Sequence, residues 1–138
     1  MVFCNTGSEA VTAAIRLART VSGRDPIAVF AGAYHGTFDE VLVRPVAARS
    51  MPIAPGIPVR MLENVVVLDY GSPEALEYLK AHGDELAPVL VEPAHSRRPD
   101  LQPREFLHDS RCRRRARRSP NVRRLTEGRA RRSCSTSS

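Results

Sequence analysis

The sequence predicts an α/β domain built on a mainly parallel sheet with helices on both faces. Three observations predict it. Ile27-Ala-Val-Phe30, Val65-Val-Val-Leu68 and Ala87-Pro-Val-Leu-Val91 are continuous apolar runs of strand length, the pattern of strands buried on both faces. Segments with helical spacing alternate with them. Turn formers such as Asp25-Pro26 and Gly32 separate the two kinds of segment. At 138 residues, 42% of them hydrophobic, the chain has the length of one domain and enough apolar material for a core.

Taken in order, Val2-Phe3-Cys4 reads as the end of a buried strand. A helix follows, with Val11, Ile15 and Ala18 on one line and Ala14, Leu17 and Val21 beside it. Thr6 and Glu9 stand in the S/T-x-x-E relation of a capping box that opens this helix, and Gly23 closes it. After the strand ending at Phe30, Ala31 to Glu63 reads as one long loop, punctuated by Pro45, Pro52, Pro55, Gly56 and Pro58. Loops of that length are more often functional than idle. Beyond the second strand, Ser72-Pro73-Glu74 is a cap with proline at the first helical position, opening a helix through about His82. The third apolar run ends at Glu92-Pro93, and Pro103 to Asp109 begins another helix. No internal repeat is visible.

The net charge of +6 conceals two unlike parts. Residues 1–109 hold 10 Lys and Arg against 14 Asp and Glu, whereas residues 110–138 hold 11 Arg and a single acid, Glu127. An acidic globular body is therefore expected at 1–109 and an arginine-rich tail at 110–138, the tail disordered because it has too few apolar residues to offset ordering. No apolar run approaches the ~20 residues that span a bilayer, so a membrane protein is not expected. Met1 to Ala10 lack the basic-then-apolar pattern of a secretory signal. Cys4, Cys112 and Cys134 are too few and too scattered for a disulfide framework or a zinc site. The expected location is the cytoplasm.

Three features could carry chemistry. Gly7, between Thr6 and Ser8, lets the backbone approach a ligand at a helix start whose N–H groups are unpaired, which suits a phosphate. No Gly-Lys-Ser/Thr follows, so it is not a nucleotide P-loop; an ordinary capped helix accounts for the same residues. Gly32-Ala33-Tyr34-His35-Gly36 ends a strand, where ligands of parallel sheets gather. Tyr34 could lay its ring on a flat ligand and His35 could hydrogen-bond or transfer protons, although a turn with one partly buried tyrosine fits equally. Glu92-Pro93 also lies just past a strand, where an acid faces a site or caps a helix. Lys80 and His82 fall on an expected solvated helix face, and His95 lies in a polar loop with no assigned role.

The order and spacing of these features closely resemble class III aminotransferases. Phe3-Cys4-Asn5-Thr6-Gly7-Ser8-Glu9-Ala10-Val11 is similar to that family's Asn-Ser-Gly-Thr-Glu-Ala run, with the two hydroxyl residues exchanged. Gly32 to Asp39 resembles its Gly-x-Tyr-His-Gly block, and Val89-Leu-Val-Glu92-Pro93 its strand ending in Glu-Pro. The resemblance runs from about Val2 to Asp109, and is nearest to glutamate-1-semialdehyde aminomutases and the aminotransferase domains of polyketide and peptide megasynthases. Ser96 to Pro103 is worded more like the megasynthase type.

The resemblance implies part of the large domain of a fold type I enzyme that uses pyridoxal 5′-phosphate and moves an amino group from an amino donor to a carbonyl substrate. It implies that Thr6, Gly7 and Ser8 hold the cofactor phosphate, that Tyr34 stacks on the pyridine ring with His35 and Gly36 shaping that wall, and that Glu92 lies near cofactor and substrate. It also implies a homodimer, so apolar faces left uncovered here should make the chain poorly soluble.

Two family groups are missing: the Schiff-base lysine and the aspartate that pairs with the pyridinium nitrogen. The one lysine, Lys80, lies upstream of Glu92 on the expected outer helix. No catalytic residue is therefore assigned, and the chain is expected not to transaminate. The tail has six arginines within Arg111 to Arg118, which as an arm would attract nucleic acid through phosphate. It lacks the aromatics or reading motif of a specific binder. Translation in a wrong frame of GC-rich DNA accounts for it better: shifted back by one base, and with one serine on an AG-type codon, residues 132–138 can encode Leu-Met-Phe-Asp-Glu-Leu, the family's apolar strand ending in Asp-Glu.

Overall fold

The computed structural model of the protein describes residues 3–47, 49–92, 95, 100 and 104–109. Expectations for the arginine-rich tail, Pro93 and most of the segment from Ser96 to Pro103 lie outside them. The helix α1 spans Gly7–Ser22. Its start carries the expected cap: the Thr6 side chain accepts from the Glu9 N–H at 3.2 Å, while the Glu9 carboxylate reaches back one residue beyond the cap and accepts from the Asn5 N–H at 2.8 Å. Gly23 ends it at φ 67°, its N–H donating to the Arg19 carbonyl at 2.8 Å, the left-handed C-cap that glycine adopts without strain.

Strand β1, Ile27–Phe30, follows and is buried at all four residues. It pairs in parallel with β4, Val65–Leu68, in the register Ile27↔Val65 to Phe30↔Leu68. On its other side runs the segment 87–91. Ala87 N–H donates to the Pro26 carbonyl (2.7 Å), Ala28 N–H to Pro88 (3.1 Å) and Leu90 N–H to Ala28 (2.8 Å). Only a single parallel bridge, Ala28↔Val89, forms there rather than the full third strand that its apolar run suggests. Pro88 has no N–H to give to a ladder. The helix α2, Pro73–His82, opens as expected on a Ser72 cap, which accepts from the Ala75 N–H at 3.0 Å. Residues 104–109 are helical.

Because side chains alternate along a strand, the buried β1 feeds two cores. Ile27 and Val29 pack with Ile15 of α1, Val41, Leu62 and Val65. Ala28 and Phe30 pack on the opposite face with Leu68, Ala75 of α2, Leu86 and Phe106. This is the expected parallel sheet with helices on both faces.

Two expectations are corrected. Residues 31–63 are not one long loop: strands β2, Val43–Val46, and β3, Arg49–Pro52, form an antiparallel hairpin between two 3-10 turns at Asp39–Val41 and Val59–Leu62. The Ser50 hydroxyl donates to the Val65 carbonyl and ties the hairpin to β4. Phe3 and Cys4 are exposed, Phe3 at 84%, and lie in no strand, because among the described residues no strand lies beside them to pair. The helical line that the core uses is Val11, Ile15 and Ala18, while Ala14, Leu17 and Val21 face outward.

Candidate functional site

The segments leaving the carboxyl ends of β1, β4 and residues 87–91 carry Tyr34 and His35, Tyr70, and Glu92 respectively. They meet one another and the start of α1. The Tyr34 N–H donates to Glu92 Oε2 at 3.0 Å. The Thr37 N–H donates to Ser8 Oγ at 3.2 Å. Gly36 adopts φ 121°, and a Cβ there would lie 2.6 Å from Ser8 Oγ, so this glycine is what lets the Tyr34 loop close onto the helix start. The Tyr34 residue is 55% exposed, leaving it accessible to a partner.

Thr6, Gly7, Ser8, Tyr34, His35, Gly36 and Glu92, drawn from three separated stretches of sequence, are thus assembled at one end of the sheet. A substituent Cβ on Gly7 would meet nothing within 4 Å, so the backbone there is open to an approaching group. Ser8 Oγ, already accepting from Thr37, keeps its O–H to donate. Among the described residues, one open cavity of about 410 Å³ and another of about 370 Å³ adjoin the fold. The larger lies at the β4 edge under Val66 and Tyr78, away from this cluster, whereas the smaller is bordered by Ser8 and Thr37.

Sequence reasoning left His95 unassigned. It is buried at 3%, the one buried polar side chain among the described residues, and its ring stacks on Tyr70 with centroids 4.6 Å apart and planes 4° from parallel. Tyr70 in turn leans on Phe30 (5.1 Å) and Phe106 (5.8 Å). Among the described residues, the buried His35 Nε2 and His95 Nε2 have no hydrogen-bond partner. Burial holds the His35 imidazole below its ordinary range; the Glu92 carboxylate opposes that shift and His95 adds to it. Burial, then Glu92, pushes the Tyr70 phenol up. Apart from its burial, nothing marks His95 as a site residue, and a short polar loop does not advertise burial.

Lys80 and His82 are only half-buried on α2 rather than fully solvated; the His82 ring leans on Tyr78 at 4.5 Å, and its Nδ1 lies 3.4 Å from the Glu85 carboxylate. Among the described residues no helix is long and apolar enough to cross a membrane, and no group of three His, Cys, Asp or Glu is placed to hold a metal ion.

Against known proteins, no family model matches the chain. Two solved structures are similar to it. A transaminase with pyridoxal phosphate bound superimposes with TM-score 0.69 at 37% identity, over 82% of this chain and 28% of that one. An omega-transaminase from Sphaerobacter thermophilus gives 0.70 at 37%, over 81% and 28%. The chain is a class III, fold type I aminotransferase-like fragment of the pyridoxal-phosphate kind.

Among curated proteins it is similar to glutamate-1-semialdehyde 2,1-aminomutases. That of Methanothermobacter thermautotrophicus is 42% identical over 113 residues, covering 78% of this chain and 27% of the relative, and that of Aquifex aeolicus is 43% identical over 110 residues, covering 76% and 26%. The chain spans about a quarter of the length of these relatives. All four are enzymes by name, and none supports the nucleic-acid reading of the tail.

Proposed function

We propose that the chain is the segment of a pyridoxal-phosphate-dependent aminotransferase or aminomutase that grips the cofactor phosphate and forms one wall against its ring. The observation that carries this reading is the closure of the Tyr34 loop on the α1 start through the Thr37–Ser8 hydrogen bond. It ties the backbone of the loop that carries Tyr34 to a helix start bearing the Thr6 and Ser8 hydroxyls, which supports a reading in which a flat ring with a phosphate arm is bound there. In this assignment Thr6, Gly7 and Ser8 hold the phosphate, Tyr34 covers the ring, His35 and Gly36 shape the wall, and Glu92 fixes the backbone of Tyr34. The bound cofactor supplies an electron sink for amino-group transfer. The parent enzyme would move an amino group between an amino donor and a carbonyl substrate and work as a homodimer. The exposed Phe3, Leu17 and Val21 are consistent with surfaces made to be covered.

The one lysine of the chain is Lys80, in the last turn of α2. Pyridoxal phosphate added to the 138-residue chain is therefore expected to shift the amide resonances of Gly7, Ser8 and Tyr34. The yellow absorbance of a lysine-linked cofactor is not expected to develop. Amide shifts scattered over the surface, with none at Gly7 or Ser8, would overturn the assignment. The same reading takes residues 110–138 as out-of-frame translation. Resequencing the coding DNA from the Glu105 codon onward is expected to show a one-base shift that restores an Asp-Glu strand and then a lysine; a continuous frame with no such continuation would make the arginine tail genuine.

A further inference from the structure

The loop that carries Tyr34 is tied to α1 at a second place, in the last turn of the helix. Glu40 Oε1 lies 3.0 Å from Arg19 Nη1, and Arg19 Nε donates to the Asp25 carbonyl at 2.9 Å. We propose that Arg19 and Glu40 are positioning residues of the candidate site: their ion pair is a distal latch that fixes where residues 34–41 lie along α1, and so keeps the Thr37–Ser8 contact closed. The proposal rests on the reading of this loop as the cofactor wall.

The sequence of α1 lays out the latch. Ser8, Val11, Ile15 and Arg19 follow one another at spacings of three, four and four, which puts them on one face of the helix a turn apart. Polar residues thus stand at both ends of an apolar line. The loop answers each of them. The Thr37 N–H donates to Ser8 Oγ at 3.2 Å, Phe38 and Val41 share a core with Val11 and Ile15, and Glu40 meets Arg19. Apolar contacts are non-directional and would let the loop slide along the helix; the hydrogen bond and the ion pair at the two ends set its register. Glu40 reaches Thr37 through little chain. It sits in the 3-10 turn at Asp39–Val41, where the Val41 N–H donates to the Phe38 carbonyl at 3.1 Å and the Leu42 N–H to the Asp39 carbonyl at 3.2 Å. The position of its carboxylate is therefore passed to Phe38 and its neighbour Thr37 through a hydrogen-bonded turn. Arg19 is held as firmly, by the Nε bond on its side chain and by the Gly23 cap on its carbonyl. The two side chains are only 24% and 26% exposed, unlike the fully solvated pairs that contribute almost nothing.

The test reads the Ser8, Tyr34 and Thr37 amide resonances of the isotope-labelled 138-residue chain without cofactor. Raising the salt from about 0.1 to about 1 M shortens the screening length from about 10 to about 3 Å. In the unsubstituted chain the Thr37 amide is expected to shift with salt, while the Ala75 amide at the start of α2 stays in place. Glu40→Gln at low salt is expected to displace all three amides toward their positions in Gly36→Ala, in which a Cβ 2.6 Å from Ser8 Oγ forces the loop off the helix. The open fraction should rise about two- to fivefold, and the salt response of Thr37 should vanish. Adding Arg19→Gln to Glu40→Gln should displace the amides no further, because both changes remove one interaction. A pair that only stabilises the fold would lower the denaturation midpoint and leave the three amides where they were, and that result overturns the proposal. So does a Thr37 amide that ignores salt in the unsubstituted chain, a reading that requires no variant to fold. No cofactor enters these measurements, so failure of pyridoxal phosphate to bind would count against the proposed function and leave the latch standing.

Discussion

Gly36→Ala is expected to destabilise the chain by about 3 kcal/mol and to remove its affinity for the cofactor phosphate. Two separate costs combine. At φ 121° the backbone is in a region that side-chain-bearing residues rarely adopt, with a strain of about 1–3 kcal/mol. The new methyl would also sit 2.6 Å from Ser8 Oγ, 3.0 Å from Ser8 Cβ and 3.1 Å from Ser8 Cα. The hydroxyl could rotate away, but Cα belongs to the first turn of α1 and cannot move without shifting the helix start. Relief therefore requires the Tyr34 loop to lift off, breaking the Thr37–Ser8 hydrogen bond, which is worth about 1 kcal/mol. Gly32→Ala is the matched control. Gly32 has φ 80° with nothing within 4 Å of a Cβ, so it carries strain without collision and should leave the α1 junction closed. Denaturant midpoints and phosphate titrations of the two variants decide the matter: equal losses in both would mean that contact with Ser8 is immaterial.

The contrast between Gly36 and Gly32 also shows what could be read without coordinates. Both glycines stand in the same motif, and the motif suffices to place a turn at the end of β1. Which glycine touches the helix depends on how residues 29 positions apart in sequence approach one another, and no local pattern encodes that. The elements with strong local signals formed where expected: the Thr6–Glu9 box, the Gly23 stop, the Ser72-Pro73 start and the two-sided runs of β1 and β4. Each of these depends on neighbours within four residues or on simple alternation.

The hairpin was illegible for the opposite reason. Its strands carry Pro45 and Pro52, which read as breakers, and its turn carries Ala47 at φ 45°, where a hairpin of this kind usually advertises itself with Asn-Gly or Asp-Gly. The Ser50–Val65 hydrogen bond that ties the hairpin to β4 is likewise a long-range contact that no local pattern announces. The run at 87–91 was legible as apolar, but its pairing depends on Pro88, whose missing N–H limits the ladder. His95 was illegible because burial of a polar residue is decided by what stacks on it, and Tyr70 lies 25 positions away on another strand end. The candidate site was therefore readable as a set of residue types and unreadable as a layered arrangement.

The second large effect is expected at Phe30, where the fold and the site share one side chain. Phe30 is 2% exposed, points to the α2 face of the sheet, and contacts both Tyr70 and Phe106 with ring centroids at 5.1 and 5.6 Å. Phe30→Ala should cost about 3–5 kcal/mol, the usual range for emptying a buried phenylalanine site. Domains are stable by only about 5–15 kcal/mol, and this one exposes Phe3, Leu17 and Val21 to water, so the substitution should abolish cooperative unfolding. Ile15→Ala, in the core on the α1 face, should cost about 2–5 kcal/mol but leave the Tyr70–His95 stack in place. The two are separable because the chain has no tryptophan, so its near-ultraviolet circular dichroism comes chiefly from three tyrosines. Ile15→Ala should lower the unfolding midpoint and retain the tyrosine signal under native conditions, while Phe30→Ala should lose that signal before any denaturant is added. Identical native spectra for the two variants would show that the faces of the sheet are not independent, and that the site draws no particular support from the aromatic cluster beneath it.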